Sequence, residues 1–452
     1  MADLSTQVPD EPVPPRSRSG RGRAIGGLAA VNILATALGL LSGPLQARAL
    51  GPEGRGTLAA ILVPVTLAPQ LASLGLGAYA TREVARGRSV RVVFGSLAVP
   101  LLVMSALIMG TSAIVADLIA GGRPLVRHYV QIGLLLSPLG LFSGLLMNIA
   151  VGLERWRLLV TARIISPLVW TGGVVALYAS GHLDVTSAVI VTLAGSIAAV
   201  VPLARLAMTG RPRVERDIIR KGIPFGIKTW LGGLSALANV RLDQLLMARL
   251  VDASELGLYV VAVTVATFAT SILIGAVTTV IAPRIAAGDS GIAAMASRVT
   301  IALMSAMALG LGLVSPFLVP LVFGKGFADA VPLAQVLLVG SVPFTGAYVL
   351  GTILVYSNHP GRAASADILA AVLTGIGLIL LLPSMGAMGA AIVSFAAYSV
   401  SFVLVLIWTS RSLGLRFSDL VVVTRADLAV LWQAARGAVR RSRLNPTPDA
   451  VG

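Results

Sequence analysis

The sequence predicts an all-α polytopic membrane protein, with twelve transmembrane helices in two six-helix lobes related by a pseudo-two-fold axis along the membrane normal. Three observations predict it. Apolar residues make up 56% of the 452 and charged residues 12%, half the charge that a soluble surface of this size carries. Apolar windows of about 20 residues, each enough to cross about 30 Å of hydrocarbon as a helix, recur from residue 24 onward. One skeleton occurs twice, as ARALGPEGRG at 47–56 and as ARLVDASELG at 248–257, 201 residues apart.

Taken in order, residues 1–23 are rich in Pro, Ser and Arg with little to bury and read as a disordered basic cytoplasmic tail. The apolar stretch after them is too long for a cleaved signal and reads as a retained first span. Spans are expected near 24–47, 57–80, 93–116, 129–151, 158–179 and 185–207, forming a first lobe over 24–208. A basic linker, 209–222, leads to spans near 223–248, 257–282, 298–322, 331–356, 365–383 and 388–409, forming a second lobe over 223–410. The basic tail 411–452 contains RADLAVLWQAARGAVRRSRL, which reads as a helix lying in the membrane interface.

Cations sort by side. With both termini in the cytoplasm, 27 Lys and Arg fall on that side, six on the other, and two, Lys228 and Arg241, inside a span. That asymmetry is the positive-inside pattern. It makes the net charge of +16 an orientation signal and an attraction to anionic membrane lipids, not a nucleic-acid footprint. The location that follows is the cytoplasmic (inner) membrane.

The repeat fixes the architecture further. Six spans separate its copies, an even number, so both halves enter the membrane in the same orientation. Arg82 and Arg284, Pro138 and Pro343, and Arg157 and Arg362 recur at offsets of 202 to 205. Parallel repeats of this kind enclose a cavity between lobes that rock to expose it to one side at a time.

Polar residues within spans are the functional pointers, because a mid-membrane charge costs ~2.5–3.5 kcal/mol. Span 7 carries Lys228, Arg241 and Asp243. Lys228, Gly232, Ser235 and Asn239 share one stripe at about 100° per residue. Span 1 carries Asn32, Thr36, Gly39, Gly43 and Gln46, with Arg48 following. Two readings stand: the stripes face each other across a ligand cavity, or Lys228 snorkels to the interface while Arg241 and Asp243 neutralise each other in packing. Arg48 and Arg249 read equally as interfacial anchors. With no cysteine and three scattered histidines, His128, His182 and His359, neither a metal nor another cofactor is expected. GPEGRG and FGKGF lack the Lys-Ser/Thr of a phosphate loop, and no acidic cluster or large outer loop marks a membrane-embedded glycosyltransferase or ligase. The protein reads as a transporter and not an enzyme.

Several stretches carry a family resemblance: ARALGPEGRGTLAAI, SLGLGAYATREVARG, NVRLDQLLMARLVDASELGLYVVA, PLVFGKGFADAVPLAQVLL and PSMGAMGAAIVS. Over residues 24–410 the chain resembles the polysaccharide and oligosaccharide-lipid flippases, among them the O-antigen flippases of lipopolysaccharide biosynthesis. These belong to the multidrug, oligosaccharidyl-lipid and polysaccharide exporter superfamily. The resemblance implies translocation of a polyprenyl-(pyro)phosphate-linked oligosaccharide, with glycosyltransferases or a glycan polymerase as partners. Lys228, Arg241 and Arg48 would then meet the phosphate, and Asn32, Gln46, Asn239 and Gln244 the sugar. Lipid II flippases of the superfamily carry two further spans, which points away from that narrower identity. A multidrug antiporter of the same superfamily is the alternative; its cation coupling needs an embedded carboxylate, for which Asp243 is the deep candidate.

Overall fold

The computed structural model describes residues 18–207, 211–278, 284–285 and 290–427, with the side chains before residue 34 and at 36, 276 and 290 outside the description. The expected tail up to residue 17 and most of the expected interfacial helix, from residue 428, lie outside it as well. The described residues are helical and contain no strand.

Helix Arg18–Ala72 has 55 residues. Straight, it would run about 80 Å, far beyond one bilayer crossing. It breaks at Gly51, where φ is 65° and ψ −178°, a conformation open to glycine and costly for other residues. The break separates span 1 (18–50) from span 2 (52–72, continued by Leu76–Ala85). Helix Pro360–Leu413 is the same device: it breaks at Gly386, φ 52°, into span 11 (360–385) and span 12 (387–413). Between these pairs lie span 3, Val90–Ala120; span 4, Pro124–Leu135 and Ser137–Gly152 bent by 41°; span 5, Trp156–Ala179; and span 6, Val185–Ala207. Span 7 is Arg216–Leu250, span 8 Ala253–Ala276, span 9 Ser290–Phe323 and span 10 Ala330–Tyr356. Among the described residues these make twelve helical crossings. Span 1 begins at Arg18, inside the stretch that reads as tail, and helix Phe417–Val421 follows span 12.

Two faces are distinguished by their connections. The basic face carries residues 86–89, 153–155, 211–215 and 357–359; the opposite face carries the turns at Gly51, 121–123, 180–184, 251–252, 324–329 and Gly386. Caps finish several helices. Asp184 accepts the Ser187 N–H at 2.7 Å ahead of span 6, and that bond holds its carboxyl below the usual range.

The repeat is visible in the packing. A Cβ on Gly56 would lie 1.6 Å from the Ala253 carbonyl oxygen, and one on Gly257 would lie 1.9 Å from the Pro52 carbonyl oxygen. Positions 52 and 253, like 56 and 257, are 201 apart. Residue i touches j and its repeat partner touches the partner of i, which is the signature of a contact on a two-fold axis. The two skeletons therefore meet each other, at the opposite face, where spans 2 and 8 begin. At the basic face the lobes touch again through span 7. Gly75 and Gly226 are in backbone contact, and the Arg82 guanidinium lies 4.6 Å from the centroid of Phe225.

One hydrophobic core runs across both lobes, with Leu58, Ile61, Tyr259, Leu338 and Ala390 among its buried members. Smaller clusters under the basic face gather Leu76, Tyr79, Leu97 and Ile149 in the first lobe, and Val277, Val349, Leu350 and Leu354 in the second. Large apolar side chains such as Ile114, Leu309, Phe317 and Leu380 are exposed and lie on helices that face lipid.

Candidate functional site

Between the lobes, spans 1, 2, 5, 7 and 8 line an open cavity of about 280 Å³. Arg55, Trp170, Arg241 and Gln244 line it, with Thr264 and Thr267 of span 8 and the small residues Gly39 and Gly43 of span 1. No Asp or Glu is among its lining residues. Arg55 Nη1 donates to Gln46 Oε1 at 2.8 Å across the Gly51 turn, and Arg241 Nη1 donates to Gln244 Oε1 at 3.1 Å along span 7. Each lobe thus contributes one Arg–Gln pair, with the amide oxygen consumed by its own arginine.

What remains are donors. Gln46 Nε2, Arg55 Nε and Trp170 Nε1 are buried and have no hydrogen-bond partner among the described residues. Leaving a buried N–H unmade costs about 1–3 kcal/mol; Arg55 and Trp170, which carry two of these, line the cavity, and Gln46 lies behind Arg55. Thr264 and Ser271 spend their hydroxyl protons on the carbonyls of Val260 and Thr267. Two guanidiniums and no carboxylate among the lining residues give this cavity the chemistry to accept an anion rich in oxygen.

The residues singled out in the sequence go to different places. Arg241 and Gln244 line this cavity, and Gln46 lies behind it, bonded by Arg55. Asp243 does not. It is buried in the second lobe, where its carboxylate accepts the Tyr259 hydroxyl at 2.5 Å and the Gln244 N–H at 2.7 Å; it does not pair with Arg241. Asn239 faces another cavity, about 560 Å³, formed by span 7 with spans 8, 10, 11 and 12. Its amide donates to the Asp367 carbonyl at 3.1 Å, Tyr398 donates to its own carbonyl at 2.8 Å, and its Oδ1 is buried without a partner among the described residues. Arg48 is exposed and donates to the Leu321 and Val322 carbonyls at the end of span 9. Lys228 is exposed and lines none of the cavities described. The Asn32 side chain lies outside the described residues.

Arg55 is the residue that sequence reasoning placed elsewhere, among the outer interfacial cations. The structure turns it inward and half-buries it. The signal lay in the repeat: Arg55 stands where the second lobe has Leu256, and Leu256 is fully buried. An arginine in a core leucine's place is a charge the fold has taken inside. Arg241 stands where the first lobe has Leu40, another lining residue, but is itself exposed.

A third cavity, about 680 Å³, flanks span 7 on its other side, toward spans 2 and 4. Gln70, Ser73, Asn148, Thr229 and Trp230 line it, and it shares Ala236 and Val240 with the Asn239 cavity. Span 7 therefore stands between two crevices, with amide and hydroxyl groups and an indole along them.

Residues 22–288, over half the chain, match the family model described as polysaccharide biosynthesis protein. The chain belongs to that family. No curated protein matches this family member in sequence. Among solved structures it is similar to a lipid II flippase MurJ in an inward closed conformation, at 14% identity and TM-score 0.72 over 90% of this chain and 92% of that one. It is also similar to multidrug resistance MATE family transporters of the MOP superfamily. The TM-score is 0.70 against an inward-facing structure, at 13% identity over 85% and 98% of the two chains. Against an outward-facing structure it is 0.55, at 15% identity over 87% and 96%. At these identities the likeness shows the fold alone, one that a flippase and multidrug transporters also have.

Proposed function

We propose that this family member moves a polyprenyl-(pyro)phosphate-linked oligosaccharide from the cytoplasmic to the outer leaflet of the cytoplasmic membrane, by alternating access of its two lobes. The basic face is cytoplasmic in this reading, and both termini with it. The single observation that carries the proposal is the central cavity with Arg55 and Arg241 from opposite lobes and no carboxylate among its lining residues. A diphosphate supplies acceptors for the two guanidiniums. Its glycan fits the crevices beside span 7, where Gln70, Asn148 and Trp230 offer hydrogen bonds and a stacking surface, and its polyprenyl tail stays in lipid.

The multidrug antiporter of the same fold is the second reading, and the same cavity weighs against it. A cationic drug exchanged for protons or sodium calls for a carboxylate where the ligand sits; this cavity has none, Asp243 is committed to Tyr259 inside the second lobe, and Asp367 lines the separate cavity beside Asn239.

Reconstitution tests both. In proteoliposomes, the protein is expected to bring a fluorescent polyprenyl-diphosphate-linked sugar to the outer leaflet. The variant Arg55→Ala/Arg241→Ala is expected to lose that activity while remaining inserted. Transport of a lipophilic cation driven by a pH gradient, with no movement of the lipid-linked sugar, would overturn the proposal.

A further inference from the structure

We propose that Arg48 and Arg249, equivalent residues of the two halves, form with Arg123 a clasp that holds the opposite face shut and so sets how often the protein opens there. Arg48 and Arg249 are 201 residues apart and close spans 1 and 7. Each crosses to the other lobe at the end of that lobe's third span. Arg48 Nε donates to the Val322 carbonyl at 3.0 Å and its Nη2 to the Leu321 carbonyl, beside Gly324. Arg249 lies over Gly121, at the end of span 3, with its Nη1 2.9 Å from where a Cβ on that glycine would stand. From the same turn Arg123 reaches back, donating to the Ala248 carbonyl at the end of span 7 and to the Ala120 carbonyl.

Chemistry makes these contacts directional. The last carbonyls of a helix have no intrahelical partner and sit at the negative end of its dipole. A guanidinium supplies both donors and charge. Spans 7 and 9 each end under an arginine of the first lobe that donates to their last carbonyls, and Arg249 of the second lobe packs over the Gly121 turn that ends span 3. These contacts lie at the same face as the glycine pair, so they break when the lobes part at this face and none has to break when they part at the other. The bonds therefore stabilise one state of a two-state molecule.

Because the chain has no cysteine, a single reporter gives a clean reading. Thr267→Cys, in the central cavity, is labelled with a membrane-impermeant maleimide added from one side of sealed vesicles at a time. Arg48→Ala/Arg249→Ala is expected to raise the rate from the opposite face about tenfold and to lower the rate from the basic face. Arg48→Lys/Arg249→Lys, which keeps the charges and loses the forked geometry, is expected to fall between. It also reports should the alanine variant fail to insert. Equal rates from the opposite face in the parent and in the lysine and inserted alanine variants would overturn the proposal. The readout involves no transported molecule, so it stands or falls apart from the substrate proposed above.

Discussion

Gly56 and Gly257, one in each half of the chain, meet backbone to backbone on the molecular two-fold, each lying against the chain one turn ahead of the other. A methyl group on either would stand inside a carbonyl oxygen of the opposite lobe. Gly56→Ala and Gly257→Ala are therefore expected to lower the apparent unfolding temperature in detergent by more than about 5 °C. Gly110→Ala, where nothing lies within 4 Å, serves as the control and should leave the temperature unchanged or raise it. Thermal unfolding of the three purified variants checks this.

The central cavity separates cations that matter from those that do not. Arg55→Ala and Arg241→Ala are each expected to slow movement of the lipid-linked sugar at least about tenfold, the loss of one charge-assisted contact of about 1.5–3 kcal/mol. Lys228→Ala is expected to change it less than about twofold, because that ammonium lines none of the cavities. Initial rates in vesicles at matched protein content compare the three.

Asp243 is assigned to structure. Its carboxylate holds the Tyr259 hydroxyl and the Gln244 N–H, fixing the outer end of span 7 against span 8. Asp243→Asn and Tyr259→Phe should each cost about 1–2 kcal/mol of stability. The double variant should cost less than the sum, as expected of direct partners. Transport per folded molecule should stay within about twofold of the parent. A large rate loss without a stability loss would move Asp243 into the transport machinery.

Below the basic face, Arg298 grips Asp427 with two bonds of 2.7 and 2.8 Å and docks the segment after span 12 onto span 9. The guanidinium, with help from the Thr424 N–H and hydroxyl, holds the Asp427 carboxyl well below the usual range. A depressed carboxylate contributes its stability above its unfolded value, about 3.9, and loses it only as pH falls below that toward the folded value. Protection of the 415–427 amides, corrected for intrinsic exchange, should therefore match at pH 7 and pH 5. Asp427→Asn should lower it at both, as hydrogen exchange read by mass spectrometry will show.

Much of this was legible in the chain. Apolar runs marked the crossings, since nothing shorter than a bilayer-length helix satisfies its own backbone in lipid, and the 201-residue offset gave the like-oriented halves. The partners of polar groups were less legible, because periodicity gives a direction and not a distance. Arg241 and Asp243 share a helix and opposite charges, yet the arginine turns to Gln244 and the carboxylate to a tyrosine sixteen residues on. Arg55 follows GPEG, which reads as an exposed turn. Only the fold-back at Gly51 swings it under Gln46.

The two cavity arginines belong to opposite halves, and that makes grip and movement a single coordinate. An oxyanion spanning both guanidiniums is held only while the halves stand close around it. As they swing apart, the charges separate and the hold slackens. In the proposed function, a cargo head-group gripped from both flanks is let go by the very stroke that uncovers it.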